Sequence, residues 1–155
     1  MEPENVWDYP RPPRLERVKQ RLRIVLGGET IADTTAGWRV LETSHPPTYY
    51  LPRDAFRADA LTPSARRSFC EWKGDAVYWN VTGGGGTEHH AGWSYPDPTP
   101  DFAPIRDHVA VYAGRMGACF VDDEQVTPQH GGFYGGWITS NLVGPFKGGP
   151  DTYSW

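Results

Sequence analysis

Apolar and polar residues alternate along this chain in short runs broken by glycine and proline. Leu22-Arg-Ile-Val-Leu26 and Glu29-Thr-Ile-Ala32 flank Gly27-Gly28, and two strand-like runs separated by two glycines predict a β-hairpin. Trp38 to Thr43 predicts another strand, with Trp38, Val40 and Glu42 on one face and Arg39, Leu41 and Thr43 on the other. Ser68 to Gly74 and Asp75 to Val81 predict two strands hinged at Gly74. Val109 to Tyr112 and Ala118 to Val121 predict two more, the second turning at Asp122-Asp123-Glu124. Pro52 to Leu61 is the best helix candidate, with Asp54 near its start and Phe56 spaced for a buried face, although it is short enough to be a turn. A helical turn is also expected between Phe102 and His108, and Gly83 to Gly86 reads as a flexible loop tip.

Composition supports the same class. Eighteen glycines and fifteen prolines exceed a fifth of the 155 residues, which disfavours long helices. Hydrophobic residues make up only 38%, but seven Trp, eight Tyr and six Phe give a large apolar area per residue, so the core is expected to be aromatic-rich. The expected fold is a mainly β, compact single-domain antiparallel structure with one or two short helices. Residues 1–20 are expected to form an extended proline-rich arm, in which Trp7 and Tyr9 either latch onto the body or move with a free tail. Residues 21–155 are expected to form the domain.

The net charge of −4 includes no Lys/Arg block suited to tracking phosphates, which argues against a nucleic-acid partner. No apolar run is long enough to span a bilayer, and Met1 to Asn5 has neither a basic nor an apolar leader segment, so a soluble cytoplasmic protein is expected. Cys70 and Cys119 lack C-x-x-C partners; they read as free thiols, and no cofactor or metal is expected.

Candidate chemistry collects in three segments. Glu42-Thr-Ser-His-Pro-Pro-Thr-Tyr-Tyr-Leu-Pro52 holds a carboxylate, hydroxyls, an imidazole and two tyrosines on a backbone stiffened by three prolines. His45, beside Glu42 and Tyr49, is the titratable group best suited to neutral pH, and reads either as acid–base group or as hydrogen-bonded structural histidine. In Cys70-Glu-Trp-Lys73 an extended backbone would put Cys70 and Trp72 on one side and Glu71 and Lys73 on the other, either as an exposed pair or as an acid and a cation lining a groove. Cys70 would act as a nucleophile only with a base such as His45 beside it. Trp93, Tyr95 and Asp97 recur at spacing two, so on an extended backbone they would share a face able to hold a planar or cationic ligand. His89 and His90 are adjacent and carry little chelating promise, and the four-glycine run has no following lysine to cradle phosphate.

Taken in order, the segment from Glu42 to Pro52, Cys70-Glu-Trp-Lys-Gly74 with Tyr78 behind it, Trp93-Ser-Tyr-Pro-Asp-Pro98 and Val109-Ala-Val-Tyr112 resemble the bacterial domain-of-unknown-function family 427. The resemblance covers about residues 22–116, and the Gly/aromatic-rich segment 117–155, with Trp137, looks like the extension of longer actinobacterial-type members. It implies a compact β-rich fold of the tent or barrel kind, usually without bound metal. A nucleotidyltransferase label travels with the family. Metal-dependent nucleotidyl transfer needs carboxylates converging on divalent cations opposite a phosphate cradle, whereas here Asp122-Asp123-Glu124 lies in a hairpin turn and no Gly-Lys-Ser/Thr loop follows a strand.

Three functional expectations follow. The first is a small-molecule-binding domain with an aromatic-lined pocket drawing on Glu42, Tyr49, Cys70, Trp72, Trp93, Tyr95, Asp97 and Trp137. The second is a metal-independent hydrolase or transferase using His45 or Glu71 as base, with Lys73 as electrostatic aid. The third is a protein-interaction module, marked by an exposed aromatic patch without a cavity. The ligand's identity and the oligomeric state are not encoded in any motif.

Overall fold

The computed structural model describes residues 1–149, 151, 152, 154 and 155. Among the described residues fifteen strands follow one another: β1 (Glu4–Asn5), β2 (Arg14–Arg17), β3 (Leu22–Leu26), β4 (Glu29–Thr34), β5 (Trp38–Leu41), β6 (Thr48–Pro52), β7 (Leu61–Cys70), β8 (Gly74–Gly83), β9 (Gly86–Ser94), β10 (His108–Val111), β11 (Ala118–Val121), β12 (Glu124–Gln125), β13 (Thr127–Pro128), β14 (Trp137–Ile138) and β15 (Leu142–Val143). The large sheet runs β2-β5-β6-β10-β9-β8-β7 and is antiparallel throughout. A second antiparallel sheet runs β12-β11-β3-β4. The edge strands β2 and β7 do not pair, so among the described residues the large sheet stays open and no barrel closes.

Period-two alternation divides the large sheet between two apolar layers. On β6, Tyr49 and Leu51 point into the main core, while Tyr50 points the other way; on β10, Val109 and Val111 oppose Ala110 in the same fashion. The main core lies between the two sheets, where Leu22, Ile24, Ile31 and Val121 meet Leu51, Val81 and Val109, with Trp137 fully buried beside Tyr49. Across the opposite face lie Val40, Tyr50, Tyr78, Trp93 and Tyr95 with Phe102 and Ile105. That second layer is the floor of the candidate site.

The segments expected to be helical are single 3-10 turns, Arg53–Ala55 and Pro100–Ile105. In the first, Phe56 pairs back onto Ala32, which ends the turn before a second can form. The four-glycine run is a tight hairpin turn rather than a loose loop: Gly83 pairs with Gly86, and Gly84 and Gly85 take φ of 56° and 84°. Only glycine enters that region without strain. Gly84 also abuts the backbone of Gly27 in the other hairpin turn so closely that no Cβ fits between them.

The proline-rich N-terminal segment is built into the body. β1 pairs in parallel with β15, β2 is an edge strand of the large sheet, and Tyr9 is buried. Arg39 on β5 fastens this segment: its guanidinium bonds both oxygens of Glu4 at 3.0 and 3.1 Å and Glu16 at 2.6 and 2.8 Å. Burial works against ionised Glu4, but hydrogen bonds from Arg39 and Tyr9 win and hold its pKa below the usual carboxylate value. Among the described residues no helix is long and apolar enough to cross a membrane.

Candidate functional site, a cleft on the outer face of the large sheet

A cleft of about 920 Å³ opens over the second apolar layer. Its floor is the sheet itself: Val40, Tyr50, Tyr78 and Trp93, with Trp93 stacked on Tyr112 at 4.6 Å between ring centroids. One wall is the tip of the β7–β8 hairpin. There the backbone departs from the extended geometry expected of residues 70–73: Cys70 pairs with Gly74, and Glu71, Trp72 and Lys73 form the connecting loop. Gly74 at φ 108° makes this turn possible, so strand alternation does not apply and all four residues Cys70 to Lys73 line the cleft. Thr99 anchors the tip, its hydroxyl donating to the Trp72 carbonyl at 2.6 Å and its amide to that of Lys73 at 3.1 Å. The Lys73 ammonium lies 5.7 Å from the ring centroids of both Tyr95 and Phe102, within cation–π range.

The opposite wall comes from the glycine-rich C-terminal segment. Gly135 abuts the Cη2 edge of the Trp93 indole with no room for a Cβ, which brings Phe133 and Tyr134 over the cleft. Behind them Gln129 is buried and fully engaged: the Gly136 amide donates to its Oε1 at 3.0 Å, and its Nε2 donates to the Lys147 carbonyl at 2.7 Å and to His45 Nδ1 at 3.3 Å. The first two bonds fix which end of the amide is which. His45 Nδ1 is therefore an acceptor, and the neutral imidazole carries its proton on Nε2, 3.6 Å from Glu42 Oε2. Burial pushes the His45 pKa below its ordinary value; Glu42 pulls it up, while Lys147, Arg11 and Lys73 push it further down. The His45 ring meets Tyr134 edge-on at 4.9 Å, and Ser44 before it sits at φ 72°, a strained setting for a non-glycine residue.

Of the residues picked out in the sequence, Glu42, His45, Cys70, Glu71, Trp72, Lys73, Trp93 and Tyr95 share this cleft. Tyr49, Trp137 and Asp97 do not. Tyr49 and Trp137 face the main core and stack on one another at 5.1 Å, because Tyr49 is one residue out of phase with the cleft face of β6. The chain leaves extended geometry after Ser94, so Asp97 is not carried onto the face of Trp93 and Tyr95; its side chain is 94% exposed, 3.6 Å from Arg106. A carboxylate partner for a cationic ligand is thereby removed. Sequence reasoning missed Arg11, Tyr50, Arg66, Arg67, Tyr112, Gln129, Tyr134 and Lys147. The register Trp38↔Tyr50 is the signal that would have singled out Tyr50 over Tyr49, since Trp38 and Val40 already shared one face.

The acidic turn lies elsewhere in the fold. Asp122 accepts the Arg21 amide and Glu124 accepts the amide and hydroxyl of Ser140. Among the described residues no group of three or more His, Cys, Asp or Glu side chains is placed to hold a metal ion. His90, at φ 57° in β9, bonds through Nδ1 to the Ser64 hydroxyl at a bulge, away from the cleft.

A family model described as a domain of unknown function (DUF427) matches residues 14–122. The chain belongs to the DUF427 family. No curated protein matches it. The DUF427 portion runs from β2 to the turn after β11, and supplies the sheet floor, His45 and the Cys70–Lys73 tip. Arg11, Gln129, Phe133, Tyr134, Lys147 and Trp155 all lie outside it. In this DUF427 protein one wall of the cleft, and the group that orients His45, are thus supplied by segments flanking the family domain.

Proposed function

We propose that this domain binds a small molecule with a planar face in the cleft. The observation that carries the reading is the combination of a cavity within the usual size of a ligand pocket and rings on its floor and both walls: Tyr50 and Trp93 below, Trp72 on one side, Tyr134 on the other. Stacking on such rings holds a flat group, while His45 Nε2–H supplies a directional donor. The two free thiols, Cys70 and Cys119, fit a reducing cytoplasmic setting.

An enzymatic reading uses the same cleft, since His45, Glu71 and Lys73 all line it. Against it, the His45 lone pair on Nδ1 is occupied by Gln129 and the other nitrogen carries the proton, so in this arrangement the imidazole donates rather than abstracts. An interaction-module reading draws on Phe69 and Phe133, 72% and 77% exposed at the cleft. The test is a thermal-shift and tryptophan-fluorescence screen of flat aromatic compounds, repeated with Trp72→Ala and Tyr134→Ala. Both residues are only half-buried, and a cooperative melting transition in each variant checks that the fold is kept. Saturable binding that weakens in both variants supports the reading; binding unchanged in both refutes it.

A further inference from the structure

We infer that the ligand of this cleft is an anion, a planar group bearing a carboxylate or a phosphate ester; the inference rests on the binding reading above. Its basis is a charge imbalance. Five cationic side chains, Arg11, Arg66, Arg67, Lys73 and Lys147, line the cleft with only two carboxylates, Glu42 and Glu71, in a chain whose net charge is −4. Positive charge is therefore concentrated in this one concavity of an acidic protein, where low-dielectric walls focus the field.

The existing contacts engage two of the five cations and leave the charge of the other three available, since Lys147 Nζ donates to a Trp155 main-chain oxygen at 2.8 Å. Glu42 is already engaged by Arg11 at 3.3 Å. Among the described residues Arg66, Arg67 and Lys73 pair with no carboxylate. The Arg66 guanidinium lies over the Tyr78 ring at 5.2 Å and Lys73 over Tyr95 and Phe102, which orients both cations without neutralising them. Arg67 uses one nitrogen, Nη1, on the carbonyls of Ser64 and Arg66. The uncharged groups are donors as well. His45 carries Nε2–H, facing Glu42 at 3.6 Å, and burial raises the pKa of Tyr50, Tyr95 and Tyr112 so that each keeps its phenolic proton, that of Tyr112 directed at the Phe133 carbonyl at 3.5 Å. Burial first, and then Lys147, Arg11 and Lys73 against the opposing pull of Glu42, disfavour a protonated imidazole at His45. Three cations without carboxylate partners are what an anion completes, and what a cation or a purely apolar guest would leave unpaired.

The experiment holds the ring constant and changes only the charge. Full-length protein is titrated with 1-naphthyl phosphate, 1-naphthoate, 1-naphthamide and 1-naphthylmethylammonium, followed by fluorescence. At least one anion should bind about tenfold more tightly than the amide, the size of one charge-assisted hydrogen bond. Whichever anion leads identifies the head group as phosphate or carboxylate. Arg66→Gln and Lys73→Gln should each lower the ratio of anion to amide affinity severalfold in protein that still unfolds cooperatively, whereas a ratio unchanged in both would overturn the inference. If the amide or the ammonium compound binds as tightly as both anions, the anion inference fails and the binding reading stands. If none of the four saturates below about millimolar, too weak for a stacked ring in a built pocket, the binding reading fails and takes the inference with it.

Discussion

Replacing Gln129 with leucine keeps the side chain's approximate volume but deletes an amide that joins three parts of the site. The variant leaves the buried Gly136 N–H, the Lys147 carbonyl and His45 Nδ1 without their partner. Each orphaned buried polar group costs about 1–3 kcal/mol. Water reaches the half-buried Lys147 and His45, so the Gly136 amide dominates and the gross loss is about 3 kcal/mol. Extra apolar burial by leucine returns about 1 kcal/mol, for a net loss of about 2 kcal/mol. With a urea m-value of about 2 kcal/mol per molar, the unfolding midpoint should fall by about 1 M with the slope unchanged.

A structural role alone would give that shift, so a second readout is needed. Nitrogen-15 NMR of histidine-labelled protein at pH 7.5 should show His45 neutral, with its proton on Nε2, and Gln129→Leu should release that preference. Two results would refute the reasoning: a wild-type His45 protonated on Nδ1, or a midpoint shift below about 0.3 M, which is too small for even one buried orphan.

Three further outcomes are expected. Since the folded pKa of His45 lies below its value of 6.5 in an open chain, the unfolded state binds more protons below that pH, so stability is lost as pH falls from about 6.5 towards the folded pKa and is unaffected above it; the difference in unfolding free energy between wild type and His45→Gln should follow that sign, and a flat difference between pH 7 and 5 would contradict it. Gly85→Ala should cost about 1–2 kcal/mol for its left-handed backbone alone, whereas Gly84→Ala should cost about 1–3 kcal/mol more because its Cβ has no space beside Gly27; equal losses in urea unfolding would mean that the two hairpin turns are not in contact. In the native state Cys70, half-buried at the cleft, should react with Ellman's reagent while Cys119, buried and with its pKa pushed up to about 12 by desolvation, should react only after unfolding; two equally fast thiols would exclude the burial described for Cys119.

Local pattern alone determined the class of fold. The Leu22–Leu26 and Glu29–Thr34 hairpin around Gly27-Gly28, the strands that contain Val81, Val109 and Val121 and the turn at Asp122 all follow from alternation and turn chemistry, which act between neighbours in the chain. The same local density of rings and ionisable groups marked most of the DUF427 part of the cleft. Tertiary structure decided the rest. Alternation defines two faces of β6 but does not say which one meets the second sheet, so only strand register could send Tyr49 to the core and Tyr50 to the cleft. Glycine at 74 turned an apparent strand into a loop and brought Glu71 and Trp72 to the same side, and the chain's departure from β9 carried Asp97 away. Above all, Gln129 reaches His45 across 84 residues of sequence. Burial against a sheet created such contacts, and burial depends on where distant strands pair, which short-range spacing does not encode.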